Sequence, residues 1–140
     1  MRIVLAVDGS AVSTRAARHA ATMYEHFAVK PELMLFFVDE PILIGFAMHL
    51  GAQGVRTYHA ENVQSALNGA RKLFKRAGVP FTEHSSIGMP AQTLLKFVKS
   101  SKTDLLIMGS HGRGVFKNLL LGSVATKVLS QCTVPVTIVR

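Results

Sequence analysis

Glycines, serines and one arginine stand at spacings that suit the holding of an anion. Met108-Gly-Ser-His-Gly-Arg-Gly follows the apolar run Asp104-Leu-Leu-Ile, and nine residues separate Gly112 from Gly122-Ser123-Val124. Glycines just past the carboxyl end of a buried strand let the backbone turn sharply and approach a phosphate, because no Cβ blocks positive φ or close contact. Ser123 stands before the helical pattern Val124 to Gln131. It is expected to cap that helix while the unpaired N–H groups and the positive dipole end face a second anion position. Gly109, Gly112 and Gly114 read G-x-x-G-x-G, not the dinucleotide order G-x-G-x-x-G, and Val115-Phe116 stands where a Walker A loop carries Lys-Ser/Thr.

These residues are useful only if strands and helices bring them together. An apolar strand is expected from Arg2 to Val7, followed by a helix capped by Ser10 and running to about Phe27, with Ala17, Ala20, Ala21 and Tyr24 at helical spacing. A strand from Glu32 to Val38 precedes a helix from about Tyr58 to Ala77, stopped by Gly78. Val79 to Ser86 reads as a third strand, with Pro80 near its start. A helix with Pro90 in its first turn runs to near Ser101, before the strand that feeds the glycine loop. Strands alternating with helices imply an α/β domain. The uninterrupted apolar character of Ile3 to Val7, Leu33 to Val38 and Leu105 to Met108 implies parallel strands covered on both faces. Right-handed crossovers make that a doubly wound, Rossmann-like sheet.

Gly109, two residues, Gly112, nine residues and Gly122-Ser123 resemble the ATP-binding signature of the universal stress protein family. Ile3-Val-Leu-Ala-Val-Asp8-Gly-Ser10 is similar to the family's first strand with its terminal aspartate, and Pro135-Val-Thr-Ile-Val-Arg140 to its closing strand. The resemblance runs from one terminus to the other as a single domain over residues 1–140, with Pro41 to about His59 least characteristic. It implies a five-stranded sheet in the order 3-2-1-4-5, whose first and fourth strands are neighbours and open a crevice at the switch point.

It also implies an adenine nucleotide, ATP with Mg or Mn, in that crevice. The base would lie in a cleft walled by Val7, Val38 and Met108 and read through backbone groups. Asp8 would face the nucleoside or the divalent ion. Gly109 and Gly112 would meet ribose and phosphates beside His111 and Arg113, and Gly122, Ser123 and Val124 would supply donors, with Lys127 a further cation. Asp8 alternatively holds the turn before the first helix, and His111 and Arg113 alternatively face solvent.

Composition sets outer bounds. A chain of 140 residues with 49% hydrophobic content suits one domain with a two-sided core. No apolar run spans a bilayer, and Asp8 interrupts any secretory pattern, so the expected compartment is the cytoplasm. Cys132 is the single cysteine and has no partner in the chain for a disulfide. The net charge of +8 raises nucleic acid as a partner. However, Arg71, Lys72, Lys75 and Arg76 near one helix end, and Lys96, Lys99 and Lys102 near another, fall where cations complement helix dipoles. With two Tyr and no Trp, stacking platforms for single strands are not evident either.

No metal-ligand motif or nucleophile elbow stands out, and the six histidines are scattered. A response-regulator receiver shares the fold class but needs an acceptor aspartate where Ser85-Ser86-Ile87 stands. The expected role is therefore a nucleotide-binding regulatory or signalling module in a stress response. The alternatives are a slow ATPase, with at most weak hydrolysis, and an interaction module that does not use nucleotide. Val136 to Val139 would form an apolar open edge, expected to pair in a homodimer. The segment Ile42 to Leu50 would cover the pocket, extend the second helix or form another interface.

Overall fold

The computed structural model describes residues 1–114 and 121–140. Val115 and Phe116, which exclude a Walker loop by sequence, lie outside the described residues. Nine elements follow in order: β1 (Arg2–Ala6), α1 (Ala11–His26), β2 (Glu32–Asp39), α2 (Ile44–Ala77), β3 (Thr82–Ile87), α3 (Pro90–Ser100), β4 (Leu105–Gly109), α4 (Ser123–Gln131) and β5 (Val136–Val139). All neighbouring strands are parallel and the order is β3-β2-β1-β4-β5, as expected.

The period of two along each strand sorts its apolar side chains into two cores. Ile3, Leu5, Leu33, Leu35, Phe37 and Ile107 meet Ala17, Ala20 and Tyr24 of α1 and Leu67, Ala70 and Phe74 of α2. Val4, Met34, Phe36, Leu106 and Met108 meet Leu94 and Val98 of α3 and Val128 of α4. On that second face the rings of Phe36 and Phe97 stack at 4.0 Å. Each such side chain removed from water contributes about 1.5–3 kcal/mol, which is why the three inner strands read as unbroken apolar runs.

Local chemistry sets most boundaries. Ser10 caps α1, its Oγ accepting from Ser13 N–H at 3.1 Å. Gly78 closes α2 in the left-handed conformation, and Val79 N–H returns to the Phe74 carbonyl at 3.0 Å. That closure, with the missing N–H of Pro80, delays β3 to Thr82, three residues later than the hydrophobic pattern suggests. The edge strand β3 is held to α2 by Arg71, whose Nε and Nη2 donate to the two Glu83 carboxylate oxygens at 2.7 and 2.8 Å. The hydrogen bond from Arg71 holds the Glu83 carboxyl below its ordinary range and in turn raises the guanidinium. One of the clustered cations is thus engaged in joining elements.

Two expectations need correction. The second helix begins at Ile44, not near Tyr58, with a break in its path at Gly51, where φ is 66° and ψ 172°. This backbone region is open essentially to glycine alone, so the apolar segment before it becomes a short helical arm joined to the longer helix. The N-cap of α4 is Gly122, not Ser123, which is already the first helical residue, and no side chain caps this end.

Gly9 turns the chain from β1 into α1 with φ of 80°, and a Cβ there would lie 3.1 Å from Ala66 Cα in α2. Gly9→Ala is expected to cost about 2 kcal/mol, read as a lower midpoint in urea denaturation with an unchanged slope.

Candidate functional site

β1 and β4 are neighbours, and the helices that follow them pack on opposite faces, so their carboxyl ends border an opening. The opening is a cavity of about 790 Å³ reaching from the end of β2 to the start of α4. This is the size of a small-ligand site. Val7, Asp8, Val38, Met108, Gly109, His111, Gly112, Arg113, Gly122, Ser123 and Val124 all line it as assigned from the sequence, whereas Lys127 does not.

On the β1 side, Val7 is buried and its N–H donates to the Phe36 carbonyl at 3.0 Å. Asp8 Oδ1 accepts from Ser10 N–H at 2.9 Å, so this carboxylate does hold the turn before α1. Its Oδ2 faces Gly112, where a Cβ would lie only 2.8 Å from it. On the β4 side, Ser110 joins separate parts of the signature. Its N–H donates to the Val139 carbonyl at 2.7 Å, fastening the loop to β5, and its carbonyl accepts from Gly122 N–H at 2.8 Å. Its Oγ lies 3.0 Å from His111 Nδ1. The second hydrogen bond folds the start of α4 back onto the glycine loop, against which a Cβ on Gly122 would meet His111 Cα at 3.3 Å.

None of Gly109, Gly112, Gly114 and Gly122 has positive φ. Close approach, and not left-handed backbone, is what the structure requires of this loop, and at Gly114 a Cβ would meet nothing within 4 Å. Arg113 crosses the opening: its Nε donates to the Asp8 carbonyl at 2.6 Å, and its guanidinium lies 5.5 Å from the centre of the Phe37 ring. At the far wall, the first intrahelical bond of α4 runs from Thr126 N–H to the Gly122 carbonyl. The N–H groups of Ser123, Val124 and Ala125 therefore have no acceptor within the helix, and these residues line the cavity. This helix end favours negative charge at one end and Asp39 and Glu40 oppose it at the other, with the Arg113 cation between them beside β1 and β2.

Asp39, His59 and Asn62 were not singled out by sequence. Asp39 ends β2 and lines the cavity with only 9% of its side chain exposed. His59 Nδ1 donates to its Oδ2 at 2.7 Å, and Asn62 Nδ2 donates to Oδ1 and Oδ2 at 3.2 and 3.0 Å. His59 and Asn62 lie one turn apart on α2. Only the spacing of His59 and Asn62, one turn before the apolar stripe of α2 begins, hinted at them. Of the roles open to the Ile42 to Leu50 segment, two are met: it extends α2, and Ile42, Leu43 and Phe46 wall the cavity beside Tyr58.

The donor set fits a phosphorylated ligand. Gly112 and Gly122 leave room where a Cβ would crowd the Asp8 carboxylate and the His111 backbone, and a helix end presents N–H groups. Among the described residues no group of three His, Cys, Asp or Glu side chains is placed to hold a metal ion. A cation beside Asp8 would thus draw most of its oxygens from the ligand it accompanied. Among those residues no helix is long and apolar enough to cross a membrane.

A profile described as the universal stress protein family matches residues 1–140. The universal stress protein MJ0531 of Methanocaldococcus jannaschii is 30% identical over 99% of this chain and 81% of its own length. The solved structure of MJ0577, from the same organism, superposes with a TM-score of 0.83 at 23% identity, covering 99% of this chain and 94% of that one. A universal stress protein solved in complex with cAMP gives a TM-score of 0.73 at 25% identity over 100% and 97% of the two chains.

His59→Ala takes the shortest hydrogen bond from a nearly buried carboxylate. It is expected to cost about 2 kcal/mol, seen as a lowered melting temperature by scanning calorimetry.

Proposed function

The chain belongs to the universal stress protein family, and from this we propose that it is a regulatory module that binds an adenine nucleotide, ATP in particular, in the crevice between β1 and β4. The observation that carries the reading is the cradle around Gly112 and Gly122, where added Cβ atoms would meet the Asp8 carboxylate and the His111 backbone next to the open N–H groups of α4. The relative in complex with cAMP supports the nucleotide class.

In this reading the phosphates lie against Gly109, Gly112, Gly122, Ser123 and Val124, with Arg113 and His111 beside them. The base enters the apolar cleft of Val7, Val38 and Met108, and Asp8 meets the ribose or a Mg or Mn ion carried in with the phosphates. When bound, that ion would offset phosphate charge. The protein supplies no Walker lysine, so backbone dipoles and Arg113 share that task. Arg113 gives occupancy a route to the surface, because a phosphate competes with the Asp8 carbonyl for its guanidinium. Nucleotide state then alters the outer face of the loop, which is what a cytoplasmic signalling role needs.

β5 supports self-association. Among the described residues it is an outermost strand that pairs only with β4, and it carries half-buried Val136, Ile138 and Val139. Such an edge is normally paired or covered, and pairing with β5 of a second copy does so. Sedimentation equilibrium at micromolar concentration is expected to return twice the chain mass; a monomer would remove the homodimer.

Protein purified without added nucleotide and then denatured is expected to release adenine nucleotide detectable by mass spectrometry. Stripped protein is expected to bind Mg-ATP in calorimetric titration. Gly112→Val, on an exposed loop with ordinary φ, should keep the fold by circular dichroism and weaken binding by about tenfold or more. No heat at millimolar Mg-ATP with folded protein would refute the reading.

A further inference from the structure

At the end of the cavity opposite the phosphate cradle lie a nearly buried carboxylate and an aromatic wall. Phe46, on the helical arm before Gly51, meets Tyr58 edge to face at 6.3 Å, and both line the cavity with Asp39. Tyr58 in turn meets His59 at 5.4 Å, so the wall and the partner of the carboxylate form one unit.

The Asp39 carboxylate is an acceptor only. Of its roughly four acceptor positions, Oδ2 uses two, for His59 and Asn62, and Oδ1 uses one, for Asn62. One position on Oδ1 remains, on a residue that lines the cavity and is fixed from behind by two α2 side chains. An acceptor held in an apolar pocket rewards a ligand that brings an N–H donor and penalises one that brings a second acceptor. Charge sets the ligand's direction: Asp39 and Glu40 repel phosphate here, the α4 end attracts it at the far wall, and Arg113 lies between them.

We propose that Asp39, positioned by His59 and Asn62, is a specificity-determining residue that accepts a hydrogen bond from the exocyclic amino group of the bound base, selecting a 6-aminopurine over a 6-oxopurine. The inference rests on the nucleotide reading above and adds the group that reads the base edge. Because His59 and Asn62 both donate, an asparagine at position 39 keeps its carbonyl at the Oδ2 place and turns its NH₂ group to the Oδ1 place. The acceptor then becomes a donor, suited to a 6-oxo group.

The test is calorimetric titration of stripped protein with the magnesium complexes of ATP and ITP, for wild type and Asp39→Asn. Wild type is expected to bind ATP about tenfold or more tightly than ITP, and Asp39→Asn to bring the ratio to one or below. Equal binding of ATP and ITP by wild type, or an unchanged preference in folded Asp39→Asn, would overturn the assignment and leave the nucleotide reading standing. Binding of neither nucleotide by wild type would remove both. Should Asp39→Asn not fold, the ¹³Cγ resonance of Asp39 in wild type decides: it is expected to shift with ATP and not with purine riboside triphosphate, which lacks the amino group. Equal shifts with both would sink the proposal.

Discussion

A parallel sheet whose inner strands are apolar on both sides must be covered twice, and every other feature of this molecule follows from how the chain meets that demand. Crossovers between parallel strands are long and right-handed, so covering both faces requires the chain to start in the middle, wind one way and then wind the other. β1 and β4 are where the direction changes. Their carboxyl ends are the place in the sheet where adjacent connections part, and the cavity between them is a consequence of covering two faces with one chain.

The polar chemistry collects there for a related reason. Along the three inner strands the backbone N–H and carbonyl groups are taken up by neighbouring strands, and the side chains are apolar to fill the two cores. Past the strand ends both restrictions lift. Asp8, Asp39 and Ser110 all stand at or just beyond a strand terminus, each held by a residue of the connection that follows it: Ser10 for Asp8, His59 and Asn62 for Asp39, and Gly122 for Ser110. The Ser110 backbone matters most among these, since it ties the glycine loop both to β5 and to α4. The second of those hydrogen bonds brings the two halves of the glycine pattern together.

Much of this was legible in residue order. The caps at Ser10 and Gly78, the proline at the start of α3 and the apolar runs of β1, β2 and β4 each reflect forces acting within a few residues, and apart from the start of α2 the boundaries of these elements fall within a few residues of expectation. The glycine spacing located one end of the cavity. Its physical rationale was only half right, because these glycines make room for neighbours and do not take left-handed backbone. Ser123 was misread as a cap because a serine before a helical pattern usually is one, whereas here Gly122 takes that position and the carbonyl of Ser110 receives its N–H.

The order of residues by itself determined the α/β class, the strands buried on two faces and the glycine-spaced loop after β4, since burial periodicity and glycine spacing are properties of neighbouring residues. Tertiary structure alone decided that Arg113 reaches the carbonyl of Asp8, that the arm before Gly51 walls the cavity, and that Asp39 meets His59 and Asn62 twenty and twenty-three residues away. Those pairings depend on which helix lands beside which strand end. No local pattern encodes a contact whose partners are brought together only by the winding of the sheet.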